Sequence, residues 1–348
     1  MILLSLLLVC LFLWILENRS VENCFKKLHY DLHINKRCVN CDEVFSVSSV
    51  LENDRFLPLL SLHLTEYYPK ETEIQDAYLK QSYGGEHVVE QSLYIMPHER
   101  VTRTLQMSLN QRGVYRIGRM RMSAGDLLGL KEEVKTVENR QEIVVYPRKT
   151  DIQFIEPSFG GYLGSVSVRR FIMPDPIQTI GFREYTGREP QKDISWNQSL
   201  KRNALMVKQY DYTAEQKASV LVDITDGDAD QIERCYVLCR SIIEYLENKH
   251  IVFGFYSNAM TPFGKTYIPD GTGRVHLESV LESLGRATQG ISLSRERLFM
   301  KVLSYSAEVR SYILICANTN GLESILPMYE RKLQTKLFVV DAGKEGAE

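Results

Sequence analysis

The chain has 348 residues, and its 42 Lys plus Arg set against 44 Asp plus Glu leave a formal net charge of -2. That balance supplies no global field to draw in nucleic acid or an acidic substrate, so no nucleic-acid partner is expected. The length suits two domains with cores of their own, and a hydrophobic content of 44% is ordinary for a folded chain.

The chain opens on the uninterrupted apolar run Ile2–Leu16, slightly shorter than the roughly 20 residues that span a bilayer. Neither a basic stretch before it nor an A-x-A-like site after it marks a cleaved leader. Residues 1–18 are therefore expected to be a transmembrane anchor. Arg19, Lys26, Lys27, Lys36 and Arg37 follow the run, and the positive-inside rule then places the downstream domains in the cytoplasm, at the cell membrane. Cysteines at 10, 24, 38, 41, 235, 239 and 316 are odd in number and make no disulfide framework, which suits a reducing compartment.

Residues 23–150 alternate apolar and polar positions in short runs broken by turns, among them Leu28–Ile34, Leu60–Tyr68, Val101–Asn110 and Gly113–Met122. Period-two alternation at this spacing predicts an antiparallel β-sandwich. His29, His33, Cys38 and Cys41 are zinc-ligand types at close spacing, but four ligands there would need a turn that the alternation does not show.

Residues 151–210 form a Pro- and Gly-punctuated connector with little regular pattern. Its Trp196 is read by default as core, with a partner contact as the alternative. Arg183, Lys192, Lys201, Arg202 and Lys208 alternate with Glu184, Glu189 and Asp193, which reads as a solvated, ion-paired face.

Residues 211–348 change period: an apolar strand ends at Asp223, an amphipathic segment covers Asp230–Asn248, and a second apolar strand follows at Ile251–Ser257. Strands alternating with helices predict a doubly wound α/β domain. Cys235 and Cys239, four apart on the first helix, read as core thiols. Ligands of such sheets bind outside the carboxyl ends of the strands, where Asp223, Thr225 and Asp226 fall, and an acidic cluster there could begin a Mg²⁺ shell or serve as helix caps. Gly271-Thr272-Gly273 lacks the lysine of a phosphate loop, and Gly160–Gly164 follows no clear strand.

A family resemblance enters at the connector. Arg183, Tyr185, Ile194, Trp196, Ser199, Lys201 or Arg202, Leu205 and Val207 resemble the signature of the domain-of-unknown-function 58 family, in which Arg-x-Tyr-x-x-Gly-Asp leads to Ile-x-Trp-x-x-Ser-Ala-Arg and Leu-x-Val. Arg188-Glu189 stands where that pattern has Gly-Asp, and Ser199-Leu200-Lys201 where it has Ser-Ala-Arg. Upstream, Arg112–Gly118 and Asp126–Leu130 are similar to the family's Arg-Gly-x-Tyr and Asp-Pro-x-Gly-Leu passages.

The resemblance implies a membrane helix, an immunoglobulin-like β-sandwich and an α/β domain similar to von Willebrand factor type A. It also implies a MoxR-type AAA+ ATPase as partner, beside other membrane or envelope proteins. The type A likeness implies a metal-ion-dependent adhesion site at Asp223, Thr225 and Asp226 holding a divalent cation such as Mg²⁺. Gly227 stands where a second hydroxyl belongs and Asn318 near the place of a carboxylate, with Thr272 or Thr288 as the later threonine. The expected function is a non-catalytic interaction or assembly factor, with Arg183, Tyr185, Glu189, Trp196, Ser199, Lys201 and Arg202 as signature or partner contacts. The alternative is a metal-dependent hydrolase using Asp223.

Overall fold

The computed structural model describes residues 2–21, 24–75, 80–125, 132–152, 158–163, 179–210, 216–305 and 310–343. The Asp126–Leu130 passage lies outside them, as do Pro157, Pro174 and Pro176 of the connector. Two compact units emerge, Met1–Arg148 with Leu284–Ala287, and Lys149–Ser283 with Thr288–Glu348.

The chain begins with helix α1 (Ile2–Val21), whose residues Leu7–Ile15 are exposed. Among the described residues no helix is long and apolar enough to cross a membrane. The physical reason is length: as a helix, the apolar run Ile2–Leu16 rises only about 22 Å, short of the ~30 Å hydrocarbon layer. The expected single-pass anchor is corrected accordingly, and the cytoplasm-facing, cell-membrane placement built on it loses its basis.

Among the described residues ten strands belong to the first unit: β1 (Leu28–Ile34), β2 (Cys38–Asn40), β3 (Phe45–Asn53), β4 (Leu59–Pro69), β5 (Thr72–Ile74), β6 (Lys80–Tyr83), β7 (Glu86–Ile95), β8 (Arg100–Leu109), β9 (Gly113–Gly125) and β10 (Glu132–Tyr146). They form a four-stranded sheet, β1-β3-β8-β5, and a six-stranded sheet, β2-β10-β9-β4-β7-β6. Alternation along each strand sends one set of side chains inward. Leu32, Val47, Leu105 and Met107 of the first sheet share one core cluster with Tyr68, Val89, Ile117 and Ile143 of the second.

A charged network lies inside this apolar layer. The buried Glu66 carboxylate accepts from Ser49 Oγ at 2.7 Å, Arg103 Nη1 at 2.9 Å and Tyr68 Oη at 3.2 Å. Burial, and after it the Glu66 charge, push the Tyr30 phenol up to about 12 and Tyr68 well above its ordinary range. At Gly118 the backbone adopts φ 118°, and a Cβ there would lie 2.0 Å from the Asn139 carbonyl oxygen. Only glycine fits beside the register shift between Glu138 and Gln141 on β10.

The second unit opens with a short helix α2 (158–163) and a hairpin-like arm: β11 (Thr179–Glu184), α3 (Trp196–Arg202) and β12 (Met206–Tyr210), with β11 and β12 paired antiparallel. A five-stranded sheet follows, in the order β15 (Tyr267–Gly271), β14 (Val252–Ser257), β13 (Lys217–Asp223), β16 (Ser311–Cys316), β17 (Leu337–Asp341). Helices α4 (Ala229–Asn248), α5 (Arg274–Arg286), α6 (Arg295–Tyr305) and α7 (Leu322–Leu333) join its strands, α4 between β13 and β14, α5 and α6 between β15 and β16, and α7 between β16 and β17. Buried along nearly its whole length, β13 reads as a continuous apolar run because both of its faces are covered. A capping box starts α4: Asp228 accepts from the Gln231 backbone N–H while the Gln231 side chain accepts from Asp228 N–H. Cys235 and Cys239 lie on the buried side of α4, and burial raises both thiols above their ordinary range, as it raises Cys316 to about 12. Such thiols stay protonated and unreactive.

This sheet is mixed, because a turn through Thr261–Gly264 returns the chain after β14 and β15 pairs with it antiparallel. A hairpin needs no helical crossover, and that choice is invisible in a strand as short as Tyr-Ile-Pro-Asp-Gly. With no membrane-capable helix among the described residues and a chain dominated by β-sheets, the expected fold class is corrected. The transmembrane helix and the von Willebrand factor type A-like domain expected with it stand unsupported.

Candidate functional site

Asp223 ends the central strand β13, and its side chain is 0% exposed. An ionised carboxylate at such depth requires partners for its charge and its lone pairs. Oδ1 accepts from Thr225 Oγ1 at 2.5 Å, from the Thr225 backbone N–H at 3.1 Å and from Asn258 Nδ2 at 2.6 Å. Oδ2 accepts from Arg295 Nε at 2.5 Å. The Arg295 side chain is 5% exposed and donates further from Nη1 to the Asn320 carbonyl at 2.7 Å and from Nη2 to the Asn318 carbonyl at 2.9 Å.

Four segments meet here: the carboxyl ends of β13, β14 and β16, and the first turn of α6. Asn258, just after β14, is itself pinned: its Oδ1 accepts from the Ile224 N–H at 3.0 Å and its carbonyl from Ser292 Oγ at 3.0 Å. Beside the ion pair opens a cleft of about 510 Å³, lined by Thr225, Asp226, Ile291, Ser294, Glu296 and Gly321, among others. Within it, hydrogen bonds first from its own backbone N–H and then from Ser294 hold the Glu296 carboxyl below its ordinary range.

The residues expected to ligate a metal do not gather as a shell. Asp226, exposed and in the left-handed region at φ 56°, offers its carbonyl to Asn318 Nδ2 at 3.3 Å. Asn318 Oδ1 accepts from the Asn320 N–H at 2.8 Å, so this side chain builds a turn. Thr272 faces Glu247 and Thr288 donates to the Met260 carbonyl. At Gly227 a Cβ would lie 2.4 Å from Ala317 Cβ and 3.1 Å from Ile232 Cγ1, so packing excludes a hydroxyl-bearing residue. A hard divalent ion needs six or more oxygens, and Asp223 has already committed both of its own. These residues do not fit such an ion. Among the described residues no three His, Cys, Asp or Glu side chains come together as a metal site. His29 and His33 turn to Asp54 and Asp31, and Cys41 Sγ donates to the Tyr146 carbonyl.

Sequence reasoning missed Asn258 and Arg295. A signal for the second existed. Arg295 opens a helix, where the positive end of the macrodipole disfavours a cation, so a buried counter-charge had to be near.

The connector's signature residues divide into two kinds. Arg183 pairs with Glu189 at 2.6 Å, and Glu189 accepts from Thr186 Oγ1 at 2.8 Å and from the Thr186 N–H at 3.1 Å. The Tyr185 N–H donates to the Leu205 carbonyl, and Ser199 Oγ links the Ser195 carbonyl to the Met206 N–H. These residues hold the arm in shape. Trp196, by contrast, is 65% exposed and Leu200 82% exposed, which corrects the reading of Trp196 as core. One helical turn separates them, so they share a face of α3, flanked by exposed Lys201 and Arg202.

Glu189 supplies a pH prediction. The Thr186 hydroxyl first, then the Thr186 amide and Arg183, pull its carboxyl down to about 2 from an ordinary 4.5. Because the folded value is depressed, this contribution is complete above pH 4.5 and is lost as pH falls toward about 2. The Thr186 amide is therefore expected to keep its hydrogen-exchange protection at pH values just below 4.5 and to lose it near 2, whereas Glu189→Gln loses protection at neutral pH as well.

No family model matches the chain, and no curated protein matches it. Among solved structures, it is similar to a CARDB domain from Pyrococcus furiosus bound to di-metal ions, at 14% identity over 34% of this chain and 91% of that one, TM-score 0.22. It is also similar to AvmM, which catalyses macrocyclisation in alchivemycin A biosynthesis, at 10% identity over 36% and 92%, TM-score 0.25. A third is the Pseudomonas fluorescens alkylpurine DNA glycosylase AlkC bound to DNA containing an abasic site analog, at 13% identity over 34% and 30%, TM-score 0.21. Likeness at this level carries no argument about fold or function.

Proposed function

We propose that the chain is a non-catalytic protein-interaction or assembly factor that grips its partner with the arm formed by β11, α3 and β12. The observation that carries this reading is the pair Trp196 and Leu200, exposed together on α3. Large apolar side chains shared on one exposed face mark interaction sites, and tryptophan is the residue most enriched among binding hot spots. Arg188, Lys192, Lys201, Arg202 and Lys208 are exposed around the arm, while Arg183 is neutralised by Glu189. The partner surface that complements it is an apolar socket with an acidic rim.

The signature resemblance supports reading the chain beside the domain-of-unknown-function 58 proteins and suggests a MoxR-type AAA+ ATPase as the partner to test first. Support for a non-catalytic role comes from Asp223, the residue on which a hydrolase would depend: it is sealed in an ion pair with both oxygens engaged.

Binding of the purified full chain to a purified MoxR-type ATPase is expected to weaken at least tenfold in Trp196→Ala and in Leu200→Ser, about 1.4 kcal/mol or more each. Far-UV circular dichroism should be unchanged, because both side chains face solvent. Equal affinity of wild type and both variants, measured by isothermal calorimetry, would refute the arm as the contact surface.

A further inference from the structure

We propose that the Arg295 guanidinium is the resident cation of the Asp223 strand end: it fills the role a divalent ion would play there and locks four loops together without metal. This goes beyond the partner reading, whose contact surface is the arm and which takes from this site only that both Asp223 oxygens are engaged.

Three observations carry it. The charges already close, one buried carboxylate against one buried guanidinium, each with its hydrogen-bonding groups aimed at named partners. A divalent ion entering beside Arg295 would meet like charge at low dielectric, and arginine cannot shed its proton to make room. The shell could not be completed in any case, because a Cβ at Gly227 collides with Ala317 and the Asn318 side chain closes a turn of its own.

The third observation is where Arg295 sits. At the start of α6 its charge opposes the helix dipole, an unfavourable place unless something else holds it. What holds it is Asp223 together with the Asn318 and Asn320 carbonyls, which would otherwise present partial negative charge to one another. A guanidinium spreads its N–H donors in a planar fork, so one side chain spans β13, the turn after β16 and α6, with Asn258 bridging to β14. A metal would join the same loops through bound oxygens. Here the joint is a covalent part of the chain and does not vary with ion supply.

The experiment uses the full chain. Thermal melts in millimolar Mg²⁺, in millimolar Mn²⁺ and in EDTA are expected to superimpose for the wild type, and Mn²⁺ titration followed by electron paramagnetic resonance should show no site that Asp223→Asn abolishes. Arg295→Ala should melt lower and recover part of the loss in guanidinium or methylguanidinium at sub-denaturing concentration, with urea at equal concentration giving no recovery. The double variant Asp223→Asn/Arg295→Met should melt above Asp223→Asn alone and above Arg295→Met alone, since neither charge is stranded; this arm keeps the idea testable if Arg295→Ala fails to fold. A wild-type Mn²⁺ site lost in Asp223→Asn, a Tm raised by Mg²⁺ in the wild type, or a double variant melting at the additive position would each overturn the proposal.

Discussion

Arg103→Met is expected to destabilise the β-sandwich unit by roughly 3–5 kcal/mol, the usual consequence of removing one partner from a buried ion pair. Arg103 bonds Glu66 at 2.9 Å, and the Glu66 side chain is almost wholly buried between the two sheets. With the guanidinium gone, the carboxylate keeps Ser49 and Tyr68 as donors but no charge to balance it. Methionine retains most of the aliphatic stem, so lost packing adds little. Urea unfolding should show the transition of this unit moving by about 1–5 M at a slope of roughly 1–3 kcal/mol/M. A double variant, Glu66→Gln/Arg103→Met, should regain a large share of the loss because no buried charge remains. An unchanged midpoint for Arg103→Met would mean that water reaches Glu66 and that the pair is not part of the core.

Asp223→Ala is expected to have an effect of the same size, roughly 3–5 kcal/mol, on the second unit. The substitution strands the Arg295 guanidinium, 5% exposed, and leaves Asn258 Nδ2 and the Thr225 hydroxyl and amide without their shared acceptor. Loss should be local first. Hydrogen exchange ought to rise at Ile224, Thr225 and Ser292, whose amides depend on the Asp223 and Asn258 geometry, before it rises along α4. Stability equal to wild type would show that Asp223 is not the anchor of the strand end. The variant also bears on reading binding data: weakened partner capture by Asp223→Ala would report loosened loops, whereas Trp196→Ala reports the contact itself.

Local structure was legible where a residue pattern has a single physical outcome. Alternation such as Arg-Val-Thr-Arg-Thr-Leu-Gln-Met-Ser-Leu leaves a strand with one wet and one dry face, and β8 follows from it. Residues 230–248 repeat their apolar positions at helical spacing, and α4 forms there, begun by Asp228. Length, in contrast, was misjudged at the N-terminus, where apolar character without enough residues suggested a span that no helix among the described residues provides. The connector was the least legible stretch, since its arm is held by Arg183–Glu189, Thr186 and Ser199, short-range side-chain bonds that leave no periodicity.

The sequence by itself determined that a carboxylate would sit at the end of a buried apolar strand, because a run such as Val-Leu-Val-Asp can only end at a sheet edge where polar groups find partners. Only the tertiary structure decided what that carboxylate does. Asp223 meets Asn258 and Arg295 across 35 and 72 residues of chain, a juxtaposition created by strand order and helix placement and encoded in no local spacing. The same holds for Trp196: a tryptophan's type favours burial, yet among the described residues no apolar layer covers the outer face of the short helix that carries it, and the ring is 65% exposed.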